Sequence, residues 1–424
     1  MTAPVLMAEV AFGTGASTST WLHLDDPTRG KLDTATLGPD VTEVWSDVTP
    51  YLRSVSTVRG SRRVGSPLIT YEAGNGVIEL NDPDRRFDPD NLAGPYVSGG
   101  ETQVTPMRAV RVRAVHNGTS YDILRGYARD WQTVYVDNVA RAVVPFADGQ
   151  QVLEKAIRAA SGAVGAGEDA GARVNRILDS AGWSATDRLV STGNTTLQAT
   201  TLEGSALAEL QLVAETEIGE LYFDAAGRVV FRNRNAILTD TRSTVSQGTF
   251  GDAGTEHRYA DITPTYDIAS LFNSVMITRE GGTVQTAQDS TSITKYLIRA
   301  YEKDGLLMET DDAALDYARF ILHVAKDPER RFATLTIRPH GDPDDLWPQV
   351  LGREIGDRIT VIRRPPGGGD PIERDAFIRG IAHDIPEATE DWTTTWLLQS
   401  ATKYSFLILD HATLGQLDSN ALAY

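Results

Sequence analysis

The chain has 424 residues, 41% of them apolar, which leaves room for about three domains of the usual ~150 residues, each with its own core. A balance of 40 basic against 58 acidic residues gives a net charge of −18, which argues against a groove built to grip nucleic-acid phosphates. Cysteine is absent, which excludes disulfides, thiol catalysis and thiolate-bound metal and fits synthesis in a reducing cytoplasm. Met1-Thr-Ala-Pro-Val-Leu-Met is no basic segment followed by a long apolar one, and nowhere do eighteen apolar residues run together, so the chain reads as soluble with no membrane span.

In chain order, Val5 to Phe12 and Ser17 to Leu24 read as short strands around a Gly-Thr-Gly turn, and Asp25 to Pro39 as an exposed, turn-rich stretch. Leu52 to Val58 and Gly76 to Leu80 follow as strands, separated by the basic loop Arg59-Gly-Ser-Arg-Arg63. Asn81 to Asn91 carries four Asp-Pro or Pro-Asp steps and cannot be strand interior. Met107 to Val115 is an alternating basic strand, and Leu124 to Asp130 returns after the turn His116-Asn117-Gly118. From Gly149 the texture changes. Val152, Leu153, Ala156, Ile157 and Ala160 fall at helical spacing, Gly162 to Gly171 is a glycine-alanine-acid linker, Val174, Ile177 and Leu178 mark a second helix, and Ser205 caps a third. Leu221 to Asp224 and Arg228 to Phe231 form a hairpin.

Beyond an irregular stretch, Asn235 to Asp261, β-texture resumes at Asn273 to Arg279. One helix then runs over 311–326, capped by Thr310 or Asp311 and striped by Ala314, Ala318, Ile321, Leu322 and Ala325. Ile359 to Ile362 and Phe377 to Ile381 make a hairpin around Pro365-Pro-Gly-Gly-Gly369, and Trp392 to Leu398 is a third strand. Phe406, Leu407 and Leu409 lie in an apolar tail that belongs to neither β region and is expected to dock on a neighbour or on the chain's own body.

The two β regions share a grammar. Leu124-Arg-Gly-Tyr-Ala-Arg-Asp130 answers Ile378-Arg-Gly-Ile-Ala-His-Asp384, Asp130-Trp131 answers Asp391-Trp392, Val77 to Leu80 answers Thr334 to Ile337, and Asp82-Pro-Asp84 answers Asp342-Pro-Asp344. Four matches in register predict an internal duplication, with Gly126 equivalent to Gly380 and Trp131 to Trp392. The expected fold is mainly β with an α+β middle: two related β-barrel domains plus an inserted smaller domain. Residues 1–148 form the first barrel, 149–262 the middle domain with linker 162–171, 263–402 the second barrel with one inserted helix at 311–326, and 403–424 a docking tail.

Catalytic signatures are missing: no Gly-x-Ser-x-Gly elbow, no His-Glu-x-x-His and no phosphate loop occurs. Gly165, Gly167 and Gly171 follow no strand and lack dinucleotide-turn spacing. Asp82, Asp84, Asp88 and Asp90 match a calcium loop only in acid count, since its glycine is missing and Pro83 and Pro89 stiffen it; Asp-Pro turns capped by their own acids are the simpler reading. No cofactor, metal or catalytic residue is expected. The basic runs Arg108, Arg111 and Arg113, and Arg363 and Arg364, alternate as one polar face of a sheet, open to partner contact or to plain solvation.

Together Ser46 to Gly60, Leu80-Asn-Asp-Pro-Asp-Arg-Arg-Phe-Asp-Pro89, Pro106 to Arg111, Gly126-Tyr-Ala-Arg-Asp-Trp131, Gly219 to Phe231, Leu346-Trp-Pro348 and Gly356 to Pro366 resemble the minor tail proteins of long-tailed phages of actinobacteria. That family in turn resembles the baseplate hub of tailed phages. The resemblance implies two β-barrels plus inserted domains assembled as a homotrimer at the virion's tail tip. Its partners would be the distal tail protein or tail tube above, central tip or fibre proteins below and the tape measure protein in the lumen, with transient DNA passage. Ring contacts would involve the arginines above and Phe406, Leu407 and Leu409. The rival classes are a hexameric distal tail ring protein and a tail-associated cell-wall hydrolase.

Overall fold

In Ala109–His116, the sequence alternates so that Val110, Val112, Ala114 and His116 turn inward while Arg111 and Arg113 turn out, the period of a half-buried strand. The computed structural model in which this is seen describes residues 3–14, 43–62, 68–136, 139–158, 162–266, 268–387 and 391–401. The expected strand Ser17 to Leu24, the stretch Asp25 to Pro39, and Phe406, Leu407 and Leu409 with the rest of the tail fall outside the described residues. The molecule is mainly β, organised around one large, chiefly antiparallel sheet.

The first β block comprises β1 (Val5–Thr14), β2 (Glu43–Asp47), β3 (Leu52–Gly60), β4 (Glu72–Asn81), β5 (Ala109–His116), β6 (Thr119–Ala128), β7 (Gln132–Val136) and β8 (Val139–Ala147). Asn117 and Gly118, at φ 49° and 78°, supply the two positive-φ positions of the turn joining β5 to β6. β2 pairs with β1, passes through a short 3-10 turn at Thr49–Tyr51 and becomes β3, which pairs with β4. That bent strand therefore closes the block into a barrel, in the spatial order β2/β3, β4, β8, β6, β5, β1. β8 faces β4 along one edge and, along the other, β7 at its start and β6 at its end, so β6 and β7 make one arm interrupted at residues 129–131.

The middle unit holds α1 (Ala170–Ser180), α2 (Ala206–Glu217), β9 (Glu220–Phe223) and β10 (Val229–Arg232) around a separate core that includes Val174, Ile177, Leu210 and Phe231. Ser205 caps α2 as its sequence implies, its hydroxyl accepting from the Ala208 N–H at 3.1 Å. The first expected helix is shorter than its periodicity suggested, ending at Lys155.

In the second block β11 (Thr249–Phe250) and β12 (Asp261–Thr265) are followed by an insertion. β13 (Ser274–Arg279), β14 (Gln285–Gln288) and β15 (Ala300–Leu306) form their own three-stranded sheet, and α3 (Asp311–Ala325) packs on it. The insertion is thus larger than the single expected helix, and Asn273 to Arg279 belongs to it and not to a barrel. The chain then returns as β16 (Arg331–Ile337), α4 (Pro343–Gly352), β17 (Arg358–Arg363), β18 (Ile372–Ile385) and β19 (Thr393–Ser400). α4 is absent from the sequence reading because Pro348 stands inside it; Pro343 and the acids Asp344 and Asp345 make its first turn.

Six strands of the second block repeat the chain order and the spatial order of the first. β12, β16, β19, β18 and β17 stand as β2/β3, β4, β8, β6/β7 and β5 do, each antiparallel to the next. β11 takes the place of β1 but runs parallel to β17, whereas β1 is antiparallel to β5. Gly126 and Gly380 lie on corresponding arms, β6 and β18. Trp131 and Trp392 do not correspond: Trp131 precedes β7 on the outgoing arm, while Trp392 lies beyond the turn, at the start of β19. The hairpin ends differ in length between the blocks, so a match made along the sequence crosses from one arm to the other.

Candidate assembly surface

β18 divides its edge between the two blocks. Ile372 to Phe377 pair with β17, while Gly380 to Ile385 pair antiparallel with β3, from Gly380 opposite Gly60 to Ile385 opposite Val55. This seam makes the two blocks one continuous sheet. Both glycines are required there. A Cβ on Gly380 would lie 2.3 Å from the Ser61 carbonyl oxygen, and one on Gly60, whose φ is +88°, 2.5 Å from that of Arg379. Beneath the seam, Ile385, Trp347 and Trp392 join the first block's core, the two indoles meeting edge to face at 5.0 Å. His383 accepts from Trp392 Nε1 at 3.3 Å, and burial holds its imidazole down at about 3, hence neutral.

The hairpin β9–β10 of the middle unit reaches the same joint. Arg379, 1% exposed, donates through Nε to Gln399 Oε1 at 2.8 Å and through Nη1 to Tyr71 Oη and Glu220. Arg232 reaches the other Glu220 oxygen at 3.0 Å and also Asp240 at 2.7 Å. Burial would raise the Glu220 carboxyl, but the flanking guanidinium charges outweigh it and hold the pKa below the ordinary value. Arg59 pairs with Glu354 and Arg242 with Asp357 around this centre. Three separate sequence regions are thereby locked together by buried charge, geometry that fixes domain orientation. Of these residues the sequence reading named only Arg59, as part of a basic loop, whereas the structure places it in β3; Arg379, inside an otherwise apolar strand, is the position that hints at a buried partner.

Four of the five predicted basic residues, Arg108, Arg111, Arg113 and Arg364, have side-chain partners within the chain. Arg111 clasps Glu9 through Nε at 2.8 Å and Nη2 at 2.9 Å, Arg113 reaches the same carboxylate, and Arg111 also stacks on Trp45 at 4.1 Å. Burial works to raise the Glu9 carboxyl, but hydrogen bonds from the two arginines hold it below its usual value. Arg108 donates to Gln103 O at 2.9 Å and to Thr105 Oγ1 at 3.1 Å. Arg364 grips Glu256 at 2.6 Å and Asp252, its hydrogen bonds pulling Glu256 down to about 2. Arg363 ends β17 opposite Ile372, half-buried. The two arginine groups lie on different blocks and are not brought together.

In the Asp-Pro loop the acids serve their own turns. Asp82 Oδ1 accepts from the Phe87 N–H at 3.1 Å, Asp84 pairs with Arg86, and Asp88 accepts from Arg85 at 2.8 Å and from the Asp90 N–H at 2.9 Å. The loop places Phe87 in an aromatic group with Phe12, Tyr96 and Trp131. Among the described residues no group of three or more His, Cys, Asp or Glu side chains converges to hold a metal ion, and no helix is long and apolar enough to cross a membrane.

Among solved structures the fold is similar to the 43 kDa tail protein of prophage MuSo2 from Shewanella oneidensis, at TM-score 0.55 and 13% identity over 95% of this chain and 98% of that one. It is also similar to the tail protein from Neisseria meningitidis MC58, at TM-score 0.57 and 12% identity, covering 93% and 96% of the two chains. No family model and no curated protein sequence matches. At such identities the likeness establishes a shared fold, one that extends over nearly the whole length of both chains.

Proposed function

We propose that this chain is a structural component of a phage tail tip, a hub whose three copies form a ring that continues or closes the tail tube. The observation that carries the reading is the pair of blocks with one strand order, joined edge to edge within a single chain whose fold is similar to those of two solved tail proteins. A tube built of sixfold rings meets six similar blocks when three such chains close, so internal duplication reconciles sixfold geometry above with threefold geometry below. The distal tail protein or tube would sit above the ring, central tip or fibre proteins below it, the tape measure protein in its lumen, and DNA would pass through on infection without being held. The protein acts by geometry, not chemistry.

Native mass measurement tests the stoichiometry: three copies are expected, and six copies would favour the distal-ring alternative. Density for an intact tail tests the position, since a location away from the tip would overturn it. A zymogram on host cell wall is expected to stay unlysed; clearing would revive the hydrolase class.

A further inference from the structure

Large apolar side chains stand out of the surface where the insertion joins the second block. Leu297 and Ile298, 77% and 64% exposed, follow the short helix Ser290–Tyr296, and Tyr266 and Ile268, 59% and 56% exposed, lie just beyond β12. One set of hydrogen bonds ties the two segments together. Asn273, fully buried, donates through Nδ2 to the Leu297 carbonyl at 2.8 Å and accepts from the Arg299 N–H at 2.8 Å, while Arg299 Nε donates to the carbonyl of Leu271, which closes the turn that Ile268 begins. That clamp keeps Leu297 at φ 64° and ψ 169°, a backbone region almost reserved for glycine. Strain held in a loop that carries two exposed apolar side chains marks a surface that something covers.

The chain's own end emerges beside this patch. A cleft of about 600 Å³ has Tyr266, Pro328 and Arg330 on its wall, with the Arg330 guanidinium over the Tyr266 ring at 5.5 Å. Glu329 and Asp375 line the same cleft and hold the end of β19: Ser400 Oγ donates to Glu329 Oε1 at 2.7 Å, and the Ala401 N–H to the Asp375 carbonyl at 2.9 Å. Phe406-Leu-Ile-Leu409, the apolar run that belongs to neither β block, begins five residues beyond Ala401, a reach of about 17 Å at most. We propose that this patch is the docking site of the chain's own C-terminal segment, with Phe406, Leu407 and Leu409 laid against Tyr266, Ile268, Leu297 and Ile298 of the same copy. A tether this short presents the run to the patch at an effective concentration of about millimolar, well above that of another copy's segment in dilute solution. Docked there, the segment straps the insertion, which has a core of its own, to the second block. The proposal does not depend on the number of copies in the assembly.

The natural absence of cysteine makes the test direct. Ile298→Cys with Phe406→Cys, and separately Ile268→Cys with Leu409→Cys, are introduced into the full-length chain, with Val44→Cys on β2 of the first block and Phe406→Cys as the control pair. Each protein is treated with a short bis-maleimide and run denatured, and the bands are digested for peptide mass measurement. The expected result is a bridged peptide pair in the single-chain band of both test proteins and none in the control. Bridges confined to multi-chain bands show that the patch takes another copy's segment and overturn the proposal, as does a bridge in neither test pair or one equally frequent in the control. Amide exchange gives a second readout without reagent: Phe406→Ser with Leu407→Ser is expected to speed exchange at residues 268–271 and 295–299 while β3 and β18 stay protected, and unchanged exchange in both segments refutes docking there. Native mass decides the three-copy reading separately, so either can fail without the other.

Discussion

A methyl group is too large for Gly380, and this single position shows how tightly the joint between blocks is drawn. Any Cβ there meets the Ser61 carbonyl, a backbone atom of a paired strand that cannot swing aside. Gly380→Ala is expected to cost about 1–3 kcal/mol in a denaturant titration, as overpacking of a closed site does. Gly254→Ala, with open space around it, is the control and should leave the midpoint unchanged. Asp148 makes a second residue-scale prediction, this time in pH. Its buried carboxylate accepts from the Gly74 N–H at 2.6 Å and the Gln150 N–H at 3.0 Å, yet burial outweighs both bonds and pushes it up to about 7. Since the folded value lies above the unfolded one, this group contributes stability that is fully present below pH 3.8 and is lost as pH rises toward 7. Melting temperatures between pH 5 and 8 should therefore carry a downward component that Asp148→Asn removes; an unaltered slope in the variant would count against it.

At the scale of elements, caps carry the most predictable energy. Thr310 accepts from the Ala313 N–H at 3.1 Å at the start of α3, and Asp311 there holds Arg279 of β13 at 2.6 Å. Thr310→Ala should cost about 1 kcal/mol. The loss is expected to show as faster amide exchange in α3 and its sheet, leaving protection in the seam strands intact, because the insertion has a core of its own. What the sequence made legible follows the same division. Helix starts at Ser205 and Thr310, the Asn117-Gly118 turn and the alternation of Arg111 and Arg113 are local signals, and each appears where its chemistry puts it. The seam was not legible, because Gly60 and Gly380 meet across most of the chain and nothing local marks either as a partner of the other. Charge pairing misled in a related way. Arg108, Arg111, Arg113 and Arg364 read as a polar face open to partner contact or to plain solvation, whereas bonds inside the chain, with carboxylates far off in sequence for Arg111, Arg113 and Arg364, engage them.

For the whole molecule, the charge balance bears on what a ring of these chains could conduct. Net charge is −18 per chain, and the most prominent basic strands are largely neutralised by Glu9, Asp252 and Glu256. A polymer bearing phosphate at every nucleotide would be held in place by any bore that gathered unpaired arginines, with an affinity falling steeply with salt. Ion-paired arginines offer little such attachment, because displacing the carboxylate must be compensated before a phosphate gains anything. In the proposed hub the wall facing DNA is therefore expected to be mainly acidic, and repulsion screened over about 8–10 Å at physiological salt would keep the duplex off the wall while it slides. The purified assembly is accordingly expected not to retain double-stranded DNA at about 0.15 M salt. The measurement is a filter-retention or anisotropy titration repeated across salt concentrations. Tight binding that weakens steeply with added salt would show a basic bore, and would place the arginines of β5 and β17 on the lumen instead of beside neighbouring subunits. Glu9→Gln sharpens the test by freeing Arg111 and Arg113. Retention gained only in that variant would show that a single carboxylate is what keeps this face from holding DNA.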